Sequence, residues 1–230
     1  MSVEFPFPIP SGWFPLMAGP NLASSEVRRL ECFGREVVLY RTASGKARVV
    51  DAYCPHLGAH LGVGGQVVGE RIRCPFHGWQ FGEEGECLEI PYAKRIPQSA
   101  KLTSYPTIER NGFVWAWYDP DERPPFFEIP TLSQVDSPEW VETFRKTWRI
   151  RSQIQEMGEN GADSAHFPAV HGSAAAPPSN AINNGAHRHA TQITELETSK
   201  GRARNVIEVH SCKISEASLI RVSNFTVVLP

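Results

Sequence analysis

The sequence predicts an α+β fold in two domains, and three observations along its 230 residues support this. Short β-rich runs separated by turn signals continue as far as Asp119. Four prolines then fall within residues 120–130, where they remove backbone donors and favour an extended linker. Beyond them, a helical pattern precedes further strand patterns. We therefore expect domains at 1–119 and 143–230, joined by a linker at 120–142.

The first domain has the pattern of a small antiparallel β domain. The runs EVVLY (36–40) and ARVVDAY (47–53) flank the turn ASGK (43–46), as the strands of a β-hairpin do. The same alternation of strands and turns continues in QVVGERIRC (66–74) and NGFVWAWYD (111–119). An antiparallel β fold is therefore expected up to the linker.

The second domain mixes one helix with strands. TFRKTWRIR (143–151) predicts a strand, and SQIQEMGENGADSAHF (152–167) predicts a helix that should end at Pro168. Residues 172–190 are small, polar and proline-bearing, which predicts a long surface loop. Strand patterns resume from Thr191, so we expect an antiparallel sheet in this domain as well.

Charge and composition exclude several classes of protein. A net charge of -2, from 23 Lys and Arg against 25 Asp and Glu, gives no basic excess for nucleic acid. The sequence contains no run of eighteen apolar residues, which is the length that would predict a membrane-spanning helix. An odd number of cysteines argues against a disulfide framework and for metal ligation in a reducing, cytoplasmic setting. The five cysteines are Cys32, Cys54, Cys74, Cys87 and Cys212.

Four residues in the first domain form a candidate metal site. Cys54 and His56 make a Cys-x-His, and Cys74 and His77 make a Cys-x-x-His that begins eighteen positions after His56. Each pair can occupy one tight loop that supplies a thiolate and a neutral imidazole. A [2Fe–2S] cluster with two thiolates on one iron and two imidazoles on the other needs this arrangement.

A zinc site built from the same four residues is the alternative, because tetrahedral Cys2His2 zinc is chemically plausible. The order of the residues argues against it. Zinc fingers group Cys with Cys and His with His along the chain, whereas each pair here is mixed, and Pro55, Pro75 and Gly78 shape the loops.

The loops CPHLGAHLG (54–62) and CPFHGW (74–79) resemble the Rieske signature of ring-hydroxylating oxygenases and Rieske ferredoxins. Respiratory Rieske proteins carry two further cysteines where this sequence has Ala59 and Phe76, so a respiratory role is disfavoured. The resemblance implies that Cys54, His56, Cys74 and His77 bind the cluster. Trp79 is expected either over the cluster or in an ordinary core.

His60 and the three remaining cysteines are not expected to bind the cluster. His60 is expected to be a surface or hydrogen-bonded residue rather than a ligand. Cys32, Cys87 and Cys212 have no partner at a fitting spacing, so we expect them to behave as small buried apolar residues.

A second candidate site lies in the segment ENGADSAHFPAVHG. Asp163 and His166 are three positions apart and share a helical face, while the chain can turn back at Pro168 to bring His171 to the same point. Two histidines and a carboxylate leave open positions on a non-haem Fe(II) for dioxygen and substrate. The alternative is an amphipathic helix whose two histidines are hydrogen-bonded.

The order Asn160, Asp163, His166 and His171 resembles the catalytic motif of Rieske oxygenases, which implies a helix-grip-like catalytic domain. The resemblance implies that His166 and His171 bind a mononuclear Fe(II), and that Asn160 and Asp163 are catalytic. Asp163 would link His166 to His77 of the partner subunit in a homotrimer.

The third iron ligand of that family is a carboxylate near the C-terminus, and no matching residue occurs in this chain. After His171 there is no aspartate, only four glutamates, and SNFTVVLP stops in the middle of a strand pattern. We expect that the chain is C-terminally truncated and its catalytic domain incomplete; the alternative is a degenerate mononuclear site.

The stretches IPYAKRIP, ERNGFVWAWYDP and ENGADSAHF resemble 3-ketosteroid hydroxylases and cholesterol desaturases. This resemblance implies O2-dependent hydroxylation or desaturation of an apolar, steroid-like or aromatic substrate. It also implies a ferredoxin or a flavin reductase as the electron donor. The alternative is a Rieske electron-transfer or redox-sensing protein that has no functional mononuclear iron.

Overall fold

The computed structural model divides into two compact units, each described here by itself. The first unit comprises Trp13–Phe126 and Thr131–Trp140, and the second is formed mainly by Val141–Pro230. The domain borders expected from the sequence stay predictions. The structure describes residues 9–133, 135, 137–138, 156, 159–160, 163–172, 175–176, 179–185, 187–198, 201–215 and 218–228.

The N-terminal part of the chain consists of short strands in three sheets. The sheet orders are β1-β11-β10, β2-β3-β4-β9 and β5-β6-β7-β8. The strands are β1 (Gly12–Ala18), β2 (Val27–Cys32), β3 (Arg35–Arg41), β4 (Ala47–Asp51), β5 (Gln66–Val68), β6 (Arg71–Arg73), β7 (Gln80–Phe81), β8 (Cys87–Glu89), β9 (Ser104–Tyr105), β10 (Thr107–Arg110) and β11 (Phe113–Tyr118). A short 3-10 helix, Gly19–Asn21, follows β1. The predicted antiparallel hairpin at 36–53 is confirmed, because β3 pairs antiparallel with β4.

The middle of strand β3, residues 37–40, is apolar without interruption because both of its faces are buried there. Successive side chains of a strand point to opposite faces, so Val38 and Tyr40 belong to one core and Val37 and Leu39 to the other. The first core also contains Cys54, Leu61, Ile72, Cys74, Trp79 and Phe81. The second contains Leu22, Phe33, Tyr105, Val114 and Ala116. The candidate cluster cysteines are therefore part of a packed apolar core.

The turn before β8 depends on glycine, which allows a stability prediction. Gly85 has a φ of +78°, and a Cβ added there would collide with the carbonyl oxygen of Leu102. Left-handed strain and overpacking together should make Gly85→Ala destabilising by about 3 kcal/mol. Gly45 is a matched control, because its φ is +91° but a Cβ would meet nothing within 4 Å.

Urea denaturation of both glycine variants measures the difference. Gly45→Ala carries only the conformational strain, so it should cost about 1 kcal/mol. Equal losses in the two variants would contradict a contribution from the collision with Leu102.

The second unit contains a helix and an antiparallel sheet. Residues 156 and 159–160 are helical, a separate helix is α1 (His166–His171), and the sheet has the order β12-β13-β14-β15. The strands are β12 (Ser179–Asn184), β13 (His187–Thr198), β14 (Gly201–Ser215) and β15 (Ser218–Val228), and each neighbouring pair is antiparallel. The α+β class predicted from the sequence is confirmed. No helix in the described part of the chain is both long and apolar enough to cross a membrane.

Two sequence predictions for the second unit are wrong. The helix predicted over 152–167 is not continuous up to Pro168, because residues 156 and 159–160 are helical, residues 163–164 are not, and Pro168 lies in the first turn of the separate helix α1, where a backbone N–H would have no helical partner. Residues 172–190 are not one long loop, because 179–184 and 187–190 pair as strands. The strand predicted at 143–151 lies outside the described residues.

Candidate metal centre

Two loops with the same backbone frame carry the candidate cluster ligands. In each Cys-Pro-x-x-Gly segment the cysteine carbonyl accepts a hydrogen bond from the glycine N–H, at 2.9 Å for Cys54 and Gly58 and at 3.2 Å for Cys74 and Gly78. Both glycines have positive φ, +72° and +74°, which lets the chain close so tightly. The histidine occupies the third position of the first loop and the fourth position of the second.

The loops bring the four predicted ligands together in two like pairs. Cys54 and Cys74 are only 2% and 3% exposed and belong to the same apolar core, where burial, and then the neighbouring Cys74 thiol, raise the pKa of the Cys54 thiol. The imidazoles of His56 and His77 have ring centroids 4.6 Å apart at an interplanar angle of 69°. A cluster with a thiolate-bound iron and an imidazole-bound iron needs this division.

The chemistry of the donor set fits iron and sulfide better than a single zinc ion. The two thiols lie in one apolar core and the two imidazoles contact one another, so the donors fall into two like pairs, as the two irons of such a cluster require. Burial raises the pKa of the Cys54 thiol to about 11, so a bound metal has to drive its deprotonation. The buried Nδ1 of His56 has no hydrogen-bond partner among the described groups, as expected of a nitrogen left for a ligand.

An aromatic side chain stacks on the imidazole of His56. The indole of Trp79 stacks on His56 with centroids 4.6 Å apart and planes 9° apart, so this residue does pack at the cluster loops. Its Nε1–H donates to the hydroxyl of Tyr92 at 2.8 Å. Tyr92 was not identified from the sequence, because no local pattern connects it with a ring thirteen positions away.

A polar network lies on the outer side of the first loop. The hydroxyl of Tyr53 donates to the Glu36 carboxylate, which also pairs with Arg29. His60 uses Nδ1 to accept from the Gly62 N–H at 2.9 Å, and its Nε2 lies 3.8 Å from Glu36. His60 is therefore hydrogen-bonded, as predicted. Tyr53 and His60 also form a β-bridge that closes the loop.

Glu36 should make stability depend on pH. The hydrogen bond from Tyr53, followed by the charge of Arg29, lowers the pKa of Glu36. A carboxyl whose pKa is lower in the folded state than in the unfolded state stabilises the fold at pH values above its ordinary pKa of about 4.5. This stabilisation is lost as the pH falls through the pKa of the folded state. The melting temperature of Glu36→Gln should therefore be lower than that of the unmodified protein at pH 7.

Melting curves of both proteins between pH 3 and pH 7 test this expectation. The difference between them should shrink once the pH falls below about 4.5, because Glu36 then becomes neutral like glutamine. A difference that stays constant over the whole range would show that the charge of Glu36 does not contribute.

The remaining cysteines divide between the two cores. Cys87 is buried in the first core and Cys32 packs partly buried against the second, in agreement with their interpretation as small apolar residues. Burial raises the pKa of both thiols. The side chain of Cys212 lies outside the described groups.

The second motif begins before helix α1 and ends at its last residue. His166 begins the helix and His171 ends it, so their backbone positions are about 140° apart around the axis. A carboxylate oxygen of Asp163 lies 3.5 Å from Nδ1 of His166, and the other accepts from the Ala165 N–H at 2.8 Å. Asn160 precedes these residues, is helical and is exposed. Asp163 and His166 are therefore brought together, while the predicted turn back at Pro168 is absent.

Two family profiles match consecutive parts of the chain. Residues 12–106 match the Rieske [2Fe-2S] domain, and residues 116–223 match the 3-ketosteroid 9alpha-hydroxylase C-terminal domain. The chain belongs to the Rieske non-haem iron oxygenases. For a Rieske oxygenase the cofactors are a [2Fe–2S] cluster and a mononuclear iron.

Curated relatives of this Rieske oxygenase act on steroids according to their names. Cholesterol 7-desaturase of Xenopus laevis is 44% identical over 172 residues, which are 74% of this chain and 38% of that protein. The oxygenase component of 3-ketosteroid-9-alpha-monooxygenase from Rhodococcus rhodochrous is 37% identical over 70% of this chain and 42% of its own length. The chain thus spans about two fifths of the length of these relatives.

Solved structures share the fold. NdmA of Pseudomonas putida CBB5 matches 94% of this chain and 71% of its own with a TM-score of 0.67 at 22% identity. Dicamba monooxygenase bound to dicamba matches 92% of this chain and 70% of its own with a TM-score of 0.65 at 20% identity. At these identities the likeness supports the fold of both units.

Proposed function

We propose that this Rieske oxygenase catalyses O2-dependent hydroxylation or desaturation of a sterol. The observation that carries the proposal is the division of the donor set into a buried thiol pair and an imidazole pair on two matched loops. The second unit, which matches a steroid hydroxylase domain, favours an oxygenase over a protein that only transfers electrons or senses redox state.

The proposed ligand roles follow from the chemistry of each side chain. Cys54 and Cys74 would bind one iron of the cluster, and His56 and His77 the other. His166 and His171 would bind the mononuclear Fe(II). When bound, the cluster supplies single electrons and the mononuclear iron activates dioxygen.

Asp163 is proposed to orient His166 rather than to bind iron. Its carboxylate lies 3.5 Å from Nδ1 of His166, longer than a good hydrogen bond, so the proposed role is to orient the imidazole by charge and leave Nε2 for a metal. Asn160 precedes it in the same motif and is proposed to act beside it. In a homotrimer, Asp163 would also reach His77 of the partner subunit.

Substrate, donor and cellular setting belong to the same proposal. The relatives desaturate cholesterol or oxidise 3-ketosteroids according to their names, which supports a sterol over an aromatic acid. The name "oxygenase component" implies a separate donor, so we infer a ferredoxin or a flavin reductase as partner. Four free cysteines in the described part of the chain agree with a reducing, cytoplasmic setting.

Metal counting and turnover on the full-length protein test the function. We expect about three irons and two acid-labile sulfides per chain, since the cluster contributes two irons and the second site one. With a reductase, cholesterol or a 3-ketosteroid should stimulate dioxygen consumption, and mass spectrometry should find a hydroxylated or desaturated sterol. Two irons per chain and no sterol-dependent dioxygen uptake would contradict the proposal.

A further inference from the structure

The turn formed by residues 90–93 packs against the second cluster loop, residues 74–78. The Ala93 N–H donates to the Ile90 carbonyl at 3.1 Å, and the side chain of Ile90 anchors the turn in the first core. Pro91 packs against Gly78 so closely that a Cβ at Gly78 would lie 3.2 Å from the proline ring. The absence of a side chain at Gly78 therefore lets the turn approach the loop.

The close approach places the hydroxyl of Tyr92 on the indole of Trp79. The Nε1–H of Trp79 donates to this hydroxyl at 2.8 Å, although the Tyr92 side chain is itself 61% exposed. Trp79 is only 8% exposed, and Tyr92 provides the hydrogen-bond acceptor for its part-buried indole N–H.

A hydrogen bond at one edge of an indole fixes the tilt of the whole ring. The ring of Trp79 lies nearly parallel to the imidazole of His56, with planes 9° apart, so fixing one plane restrains the other. Among the rings that the structure describes, none lies parallel to the imidazole of His77, since Phe76, Tyr92 and His56 meet it at 43°, 72° and 69°. The two imidazoles are thus held in different ways.

We propose that Tyr92 is a positioning residue that sets, through Trp79, the orientation of the His56 imidazole in the cluster site. The inference rests on the proposed function only in requiring that the cluster binds. Ligand orientation controls the electronic structure of a metal centre, so a change at Tyr92 should alter the cluster itself and not only the stability of the fold.

Tyr92→Phe, which removes only the hydroxyl, is the decisive variant. We expect shifted g-values in the electron paramagnetic resonance spectrum of the reduced cluster. With an iron chelator present, bleaching of the cluster should be about fivefold faster, as the loss of one hydrogen bond would give. Trp79→Phe removes the donor of the same bond and should shift the spectrum as well. Tyr92→Phe should therefore add nothing further in a Trp79→Phe background.

Tyr118→Phe is the matched control, because its ring stacks on Phe33 in the second core at 4.8 Å. It should leave the spectrum and the bleaching rate unchanged. The inference is overturned if Tyr92→Phe gives the unmodified spectrum, even with a lower melting temperature, or if its effect persists in full without the Trp79 indole. If the unmodified protein gives no cluster signal at all, the proposed function fails instead.

Discussion

Cys54→Ser is expected to give a colourless protein that has lost the cluster. The thiol is buried beside that of Cys74, and a serine hydroxyl is a much poorer ligand for iron because it keeps its proton. Iron content should fall by about two atoms per chain and acid-labile sulfide should disappear, since one missing ligand leaves an iron incompletely held. Visible absorbance and metal analysis measure both changes.

Cys32→Ser is the control for this experiment. Cys32 packs against the second core, away from the thiol pair, so its variant should keep the colour and the sulfide. A Cys54→Ser protein that retains an unchanged visible spectrum would contradict the assignment. Unmodified protein containing one zinc and no sulfide would contradict the cluster altogether.

His166→Ala in the full-length protein is expected to abolish sterol-dependent turnover while the cluster spectrum stays unchanged. Removal of groups that merely support metal ligands costs about 10- to 100-fold, so loss of a ligand should exceed about 100-fold. Iron content should fall by about one atom per chain, because the cluster ligands lie on separate loops. Iron analysis and dioxygen uptake test this, and a variant that keeps all its iron would remove His166 from the ligand set.

Asp163→Asn should behave differently from His166→Ala. The amide can still face Nδ1 of His166 but no longer carries a charge, so we expect the iron to remain and turnover to fall about 10- to 100-fold. Glu156→Gln is the control, since Glu156 is exposed and lies outside the motif. If Asp163→Asn lost the mononuclear iron completely, the carboxylate would be a ligand rather than an orienting group.

The cluster loops could be predicted because their information is local. The ligand spacing, the prolines and Gly78 all lie within two short segments, and the structure closes both with the same hydrogen bond. The hairpin at 36–53 was predictable for a similar reason, since its turn and its apolar runs are adjacent in sequence.

The errors in the second unit come from competing local signals. A proline after a helical pattern predicts a helix end, but Pro168 lies in the first turn of a second, separate helix, where a proline removes no hydrogen bond. The small polar residues before His187 suggested a loop. In the structure, Asn184 pairs with His187 across a tight hairpin turn in which Gly185 has a φ of +57°.

Tyr92 and Glu36 could not be identified at all, because their importance depends on contacts that only the folded chain creates. Tyr92 is reached by an indole thirteen residues earlier, and Glu36 by a hydroxyl seventeen residues later. No periodicity or motif in the sequence encodes such pairs, since they are set by how sheets and turns pack together.

Strand β3 has a consequence for how the first unit unfolds. Its side chains alternate between the two cores. If the strand leaves one core, it also loses its packing in the other. The amide protons of β3 should therefore exchange with deuterium only through global opening, at rates slower than those of the exposed turns. In a denaturant titration, bleaching of the cluster and loss of tryptophan fluorescence should then follow a single transition.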